Sequence, residues 1–233
     1  MDGDWVVDEF DESCPSGDVL QLRDVVSRPA GAWQLTGLLE LDPAVLSADD
    51  AITVLQEVQR ASAWLAGVET TLRAQVTQVV VAQAAEQLAA DAQREHAAIV
   101  ERVAAGMPQR SGFSRFVVPE HVAYAEISAA LRWSSRTGEA RVLEAEELTG
   151  VWRPLLDAML AGVVTIDHVR AVGRQLRYLP GYGSGDETEQ AAYAKSCAVV
   201  LGKVVPFAAS HTPGQCARKT RLLVTAADPR RGA

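Results

Sequence analysis

Asparagine is absent from all 233 residues of this chain, and histidine is present only four times, cysteine three times and lysine three times (Lys195, Lys203 and Lys219). Each scarcity removes a class of chemistry. Cys14, Cys197 and Cys216 are odd in number and never spaced as CxxC, which argues against a disulfide framework and a zinc ribbon. His96, His121, His168 and His211 lie at least 25 residues apart, and none belongs to an HExxH or HxH pattern. His168, beside Asp167, is the one suggestive histidine, and a surface or packed role on a helix is the simpler reading. No GxSxG, GxxxxGK[ST] or GxGxxG motif is present. The glycines of GYGSG (181–185) follow no strand, so a phosphate loop is not supported. The chain therefore reads as non-catalytic, with no metal and no cofactor.

Long apolar runs are missing too. No stretch of about 18 apolar residues exists, so no transmembrane helix and no membrane partner is expected. The opening MDGDWVVDEFDES is acidic and lacks an apolar core, unlike a signal peptide. The expected location is the cytoplasm. Aromatic residues make up 6%, so the core must be aliphatic.

What remains is ordinary globular material, 48% apolar and 22% charged, with a net charge of −8. That balance argues against indiscriminate binding to phosphates or anionic membranes. The charge is uneven, however: residues 1–50 carry −10, residues 51–202 carry −3 and residues 203–233 carry +5. An anionic partner would meet the C-terminal end.

Three regions follow. Residues 1–46 form an acidic, partly disordered leader: 1–18 have no sustained period, 19–28 (VLQLRDVVSR) predict a short helix stopped by Pro29, and 30–46 a loop with one helical turn. Residues 47–105 predict a long helix. Ser47 is its N-cap, Asp49 and Asp50 suit its first turn, and proline is absent throughout. Leu55, Val58, Leu65, Val68, Leu72, Val76 and Val79 fall on one stripe at helical spacing. Unbroken, the helix would span about 90 Å at 1.5 Å per residue. It therefore either breaks, near Gly67 or in the alanine-rich 82–92, or pairs with another helix. The stripe is then a domain core or the seam of a homodimer through the long helix.

Residues 106–233 predict a bundle of five or six shorter helices with a basic C-terminal segment. After a linker at 109–118, Pro119 opens a helix that Trp133 closes. Ser134 and Ser135 cap TGEARVLEAEEL. RPLLDAMLAG starts with Pro154 in its first turn, and Thr165 caps a helix that stops at Pro180. Glu187–Val205 is a helix broken before Pro206, and Thr212–Pro213 starts the last one. No stretch shows strand alternation, so the fold class is all-α.

Within it, AEISAALR, the turn WSSR and the following helix look like a helix-turn-helix, whose second helix presents its first residues to base edges. Those positions hold Ser135, Arg136, Thr137, Glu139 and Arg141, while Arg132 and Arg136 flank the turn where phosphates would pass. Against this, Arg132 occupies the turn position that usually needs glycine, and the second half of the helix is acidic. Plain helix packing is the competing reading. A second basic cluster, Arg218, Lys219 and Arg221 with Arg230 and Arg231, either meets nucleic acid or complements a helix end.

Residues 122–180, beginning VAYAEISAALRWSSRTGEARVLEAEELTG, together with HTPGQCARKTRLLVTAADPRRGA, resemble domain of unknown function 222. The long helix from Ser47 is similar to that family's alanine- and leucine-rich helix. The family is common in high-GC Gram-positive bacteria and usually precedes an HNH endonuclease domain, whose clustered histidines and asparagine this chain lacks. Gly138 and Cys216 stand where the family commonly carries alanine and leucine, which predicts slightly looser packing. The resemblance implies a non-catalytic DNA-binding or targeting module acting on double-stranded DNA. The alternative is a protein-interaction or dimerisation scaffold that binds no nucleic acid.

Overall fold

The computed structural model describes residues 29–107 and 118–227. The helix predicted at 19–28, most of the 109–118 linker, Cys14, Arg230 and Arg231 lie outside them. Among the described residues the chain is all-α, with eight α-helices and no strand.

Where a loop was expected, α1 covers Ala32–Leu39. The polar Gln34 anchors it: its side chain is fully buried and donates to the Glu57 backbone carbonyl at 3.2 Å and to the Glu57 carboxylate. A 3-10 turn, Pro43–Val45, is capped by Asp42.

The helix α2 runs unbroken over Ala48–Ala104, 57 residues or about 85 Å. Ser47 Oγ accepts from the Asp50 amide at 3.1 Å. Neither Gly67 nor the alanine-rich stretch interrupts it. A lone glycine costs a helix only about 1 kcal/mol, and here it permits close packing. A Cβ on Gly67 would approach Leu160 Cδ2 to 2.9 Å.

The buried face of α2 is not the aliphatic stripe. Its buried residues are Glu57, Ala61, Ala63, Gly67, Thr70, Arg73, Ala74 and Thr77. Leu55, Val58, Leu65, Leu72, Val76 and Val79 are all exposed. The stripe is therefore not a core of this chain. Most of the inner face is Ala, Gly and Thr because the shorter helices cross α2 closely, and the two large residues on it, Glu57 and Arg73, are held by Gln34 and Glu69.

Those shorter helices are α3 (Pro119–Ala130), α4 (Ser135–Thr149), α5 (Arg153–Leu160), α6 (Ile166–Leu176), α7 (Glu187–Ala208) and α8 (Pro213–Ala227). α3, α4 and α5 pack on α2, and α6 and α7 each pack on α8. Their core gathers Leu148, Trp152, Leu155, Leu156, Met159, Val164, Val172, Leu176 and Leu201, with free, buried Cys197 and Cys216. Trp152 lies on Gly173, where a Cβ would meet the indole ring. Its Nε1–H donates to Tyr193 Oη at 3.1 Å.

α7 continues through Pro206, where a break was expected. Pro206 is exposed and sits within the last turn, so the carbonyl it leaves without an amide partner can meet water. α7 is also long and apolar enough to cross a membrane by length and composition. Its Cys197, Val200, Leu201 and Val204 are spent on the bundle core.

Candidate nucleic-acid interface

α3 ends in a left-handed turn. The Arg132 amide donates to the Ala129 carbonyl and the Trp133 amide to the Ser128 carbonyl, at 3.2 and 2.8 Å. These two bonds form a Schellman cap, whose central residue must take positive φ. Arg132 takes it, at φ 55°, alone among the described non-glycine residues. A side chain there costs roughly 1–2 kcal/mol over glycine. Strain of this kind concentrates at functional sites.

Two residues later α4 begins. Ser134 caps it, its Oγ accepting from the Thr137 amide at 3.2 Å and lying 2.8 Å from Thr137 Oγ1. Ser135, Arg136 and Thr137 are exposed on the first turn, as is Arg132. Arg132 and Arg136 make no ion pair among the described residues. Two uncommitted guanidiniums thus stand beside the positive end of a helix dipole.

Arg141, the other arginine expected at DNA, is half-buried and ion-paired. Its guanidinium pairs with Glu144 at 3.1 Å, and Glu144 also accepts from Arg170 at 3.2 Å. Farther along, Arg177 grips Glu147 through two bonds and lies over the Trp152 ring. Tyr182 donates to Glu147 as well, and burial with that bond pushes its hydroxyl up to about 12. Burial raises the Glu144 carboxyl above the usual range despite its arginines. Glu146 is raised by burial, then by Glu120 and Glu147. The far half of α4 is thus acidic, and only its first turn is suited to a phosphate.

The C-terminal cluster divides. Arg218 and Arg221 are exposed on α8. Lys219 is half-buried, its Nζ 4.0 Å from the centre of the Phe207 ring, a cation–π contact that holds it to the bundle. The two basic clusters stand on different helices, α4 and α8.

A groove of about 510 Å³ opens between α4, α6 and the start of α8, and Arg170 and Arg174 of α6, with Arg177 at its C-cap, line it with Glu144 and Asp167. The sequence reading missed it, although Arg170, Arg174 and Arg177 recur at steps of four and three on one helix face. Arg174 donates to the Arg170 carbonyl and makes no ion pair among the described residues. The two flanking arginines are held by Glu144 and Glu147.

His168 is a structural fastener. Its Nδ1 accepts from the Thr165 amide at 3.3 Å, and its Nε2 lies 2.8 Å from the His211 carbonyl. It pins the start of α6 to the loop before α8. Among the described residues no three His, Cys, Asp or Glu side chains converge on a point that could hold a metal ion. Comparison with family models, curated proteins and solved structures returns no match for this chain.

Proposed function

We propose that this chain is a non-catalytic helical module that docks on duplex DNA through the α3–α4 turn. The observation that carries the reading is Arg132. A costly left-handed arginine stands where glycine would serve the fold better, next to exposed Arg136 and the exposed first turn of α4. Backbone amides at a helix start and two bidentate guanidiniums are the chemistry that grips phosphate oxygens. The resemblance of residues 122–180 to domain of unknown function 222, which usually accompanies a nuclease domain, agrees with a targeting role.

Arg132, Ser135, Arg136 and Thr137 form the contact, with Arg218 and Arg221 as a separate auxiliary patch. Arg141 and Lys219 serve the fold. The acidic remainder of α4 turns the rest of that helix away from a polyanion, so the contact is a backbone grip more than base readout. The test is fluorescence anisotropy of a labelled duplex at low and moderate salt. Affinity should fall steeply with salt, since each phosphate contact adds about 0.9 to the logarithmic salt slope, and Arg136→Ala should flatten that slope. Absence of binding at low salt would end the DNA reading.

A further inference from the structure

The groove between α4, α6 and the start of α8 is separate from the α3–α4 turn: none of Arg132, Ser135, Arg136 and Thr137 lines it. Its volume, about 510 Å³, falls in the range of small-molecule sites, roughly 300–1,000 Å³. Arg170, Arg174 and Arg177 span about 10 Å along the axis of α6 at 1.5 Å per residue. Their hydrogen bonds leave donors over. Arg170 Nε donates to Glu144 and Arg174 Nε to the Arg170 carbonyl, each at 3.2 Å. Arg177 engages Glu147 through Nε and Nη2. Both Nη groups of Arg170 and of Arg174, and Nη1 of Arg177, have no hydrogen-bond partner among the described residues. Glu144 and Glu147 hold the two outer guanidiniums in place, so little ordering is left for a ligand to impose. The walls are fixed as well. His168 ties the start of α6 to the loop before α8, and Gly173 lies against the Trp152 indole.

We propose that this groove binds a small phosphate-bearing molecule, with Arg174 as its principal contact. This inference is independent of the DNA reading. Guanidinium forks match phosphate oxygens in geometry, and three side by side suit a group that carries close to two negative charges. Two acids share the lining. Glu144 is already engaged by Arg141 and Arg170. Asp167 stands seven residues before Arg174, about 10 Å along the helix axis, which is about one Debye length, so the Arg174 end stays positive. A compact anion fits the place better than a duplex. Glu146 and Glu147 follow Glu144 on α4, and a polyanion extending past the groove would meet these carboxylates.

The test is isothermal titration calorimetry of the full chain with inorganic pyrophosphate at low salt. Saturable one-to-one binding is expected. Arg174→Gln should weaken it about ten- to a hundredfold, the worth of a charge-assisted hydrogen bond. Arg174 is exposed, so its urea midpoint should not move. Gly214→Glu is the second variant. A side chain at 214 meets open space, an acid there suits the first turn of α8, and its carboxylate would repel the anion from the groove, so binding should again be lost. Arg94→Ala, far along α2, should bind as wild type does. Absence of binding at millimolar pyrophosphate would overturn the proposal. So would binding that survives both groove variants, or that Arg94→Ala weakens equally, since that is diffuse charge. Duplex binding lost with Arg174→Gln, in a chain that ignores pyrophosphate, would assign the groove to DNA instead.

Discussion

Ser128 and Gly138 compete for one volume: a Cβ placed on Gly138 would fall inside the van der Waals envelope of Ser128 Oγ, and close to Ser128 Cβ at 3.0 Å. Ser128 Oγ donates to the Tyr124 carbonyl, and both residues are buried where α3 crosses α4. The glycine therefore tightens this crossing. The looser packing expected from glycine in a helix is not what it provides. Gly138→Ala should gain about 1 kcal/mol of helix propensity and lose roughly 1–3 kcal/mol to overpacking, for a net loss of stability. Adding Ser128→Ala should restore part of that loss. A double-mutant cycle in urea reads the coupling, and additive effects would sink the argument.

Arg132 carries opposite demands. Arg132→Gly should raise stability by roughly 1 kcal/mol, because glycine enters the left-handed region without penalty. The same change should weaken duplex binding and lower its salt dependence. Urea melts and anisotropy on one preparation give both numbers. A stabilised variant with unchanged DNA affinity would leave the arginine without the role assigned to it.

Glu144 and Glu146 reverse the ordinary sign of carboxylate titration. Both are raised, with burial the first cause, so the native state holds their protons more tightly than the unfolded chain does. Their contribution is fully present below the unfolded glutamate value, about 4.3, and is lost as pH rises through the raised native values. Glu146→Gln should therefore stabilise at pH 7 by less than about 1 kcal/mol, and its advantage over wild type should shrink toward pH 4. Urea midpoints of the two proteins at both pH values isolate this pair of states, because other groups cancel. A variant less stable at pH 7 would contradict the sign.

Tyr193→Phe tests the core polar contact. Removing the hydroxyl leaves the Trp152 indole N–H buried without its partner, which costs about 1–3 kcal/mol. Thermal or urea unfolding should show that loss. Trp152→Phe should cost less in that background than in wild type, since the hydrogen bond is already lost, and what remains is the indole volume removed from the core.

These helix starts were legible because caps are local chemistry: Ser47, Ser134, Thr165 and Pro213 each mark a start without reference to the rest of the fold. The turn at Arg132 was legible for the same reason. The buried face of α2 was not. Residue size pointed to Leu65 and Leu72, while the face that packs is chosen by how near α5 comes, a distance that only the assembled bundle sets. Gln34 and Glu57 were missed because a buried polar pair has no signature in one dimension; each looks like a surface residue until its partner is known. The pairing of Arg141 with Glu144, three residues on, is local, whereas the share that Arg170 takes in Glu144 is one that no local pattern reveals. The arginine row of α6 was visible in spacing, but its groove is made by α8.

Gly67 also sets a pivot. About 37 residues of rigid helix run from it to Ala104, an arm of about 55 Å. A tilt of about 5° where Gly67 meets Leu160 would swing the far end by about 5 Å, several times the size of the packing change that caused it. Substituting a single side chain against Leu160 is thus a lever on distant geometry: α2 converts a sub-ångström adjustment in the bundle into a displacement large enough for another molecule to register.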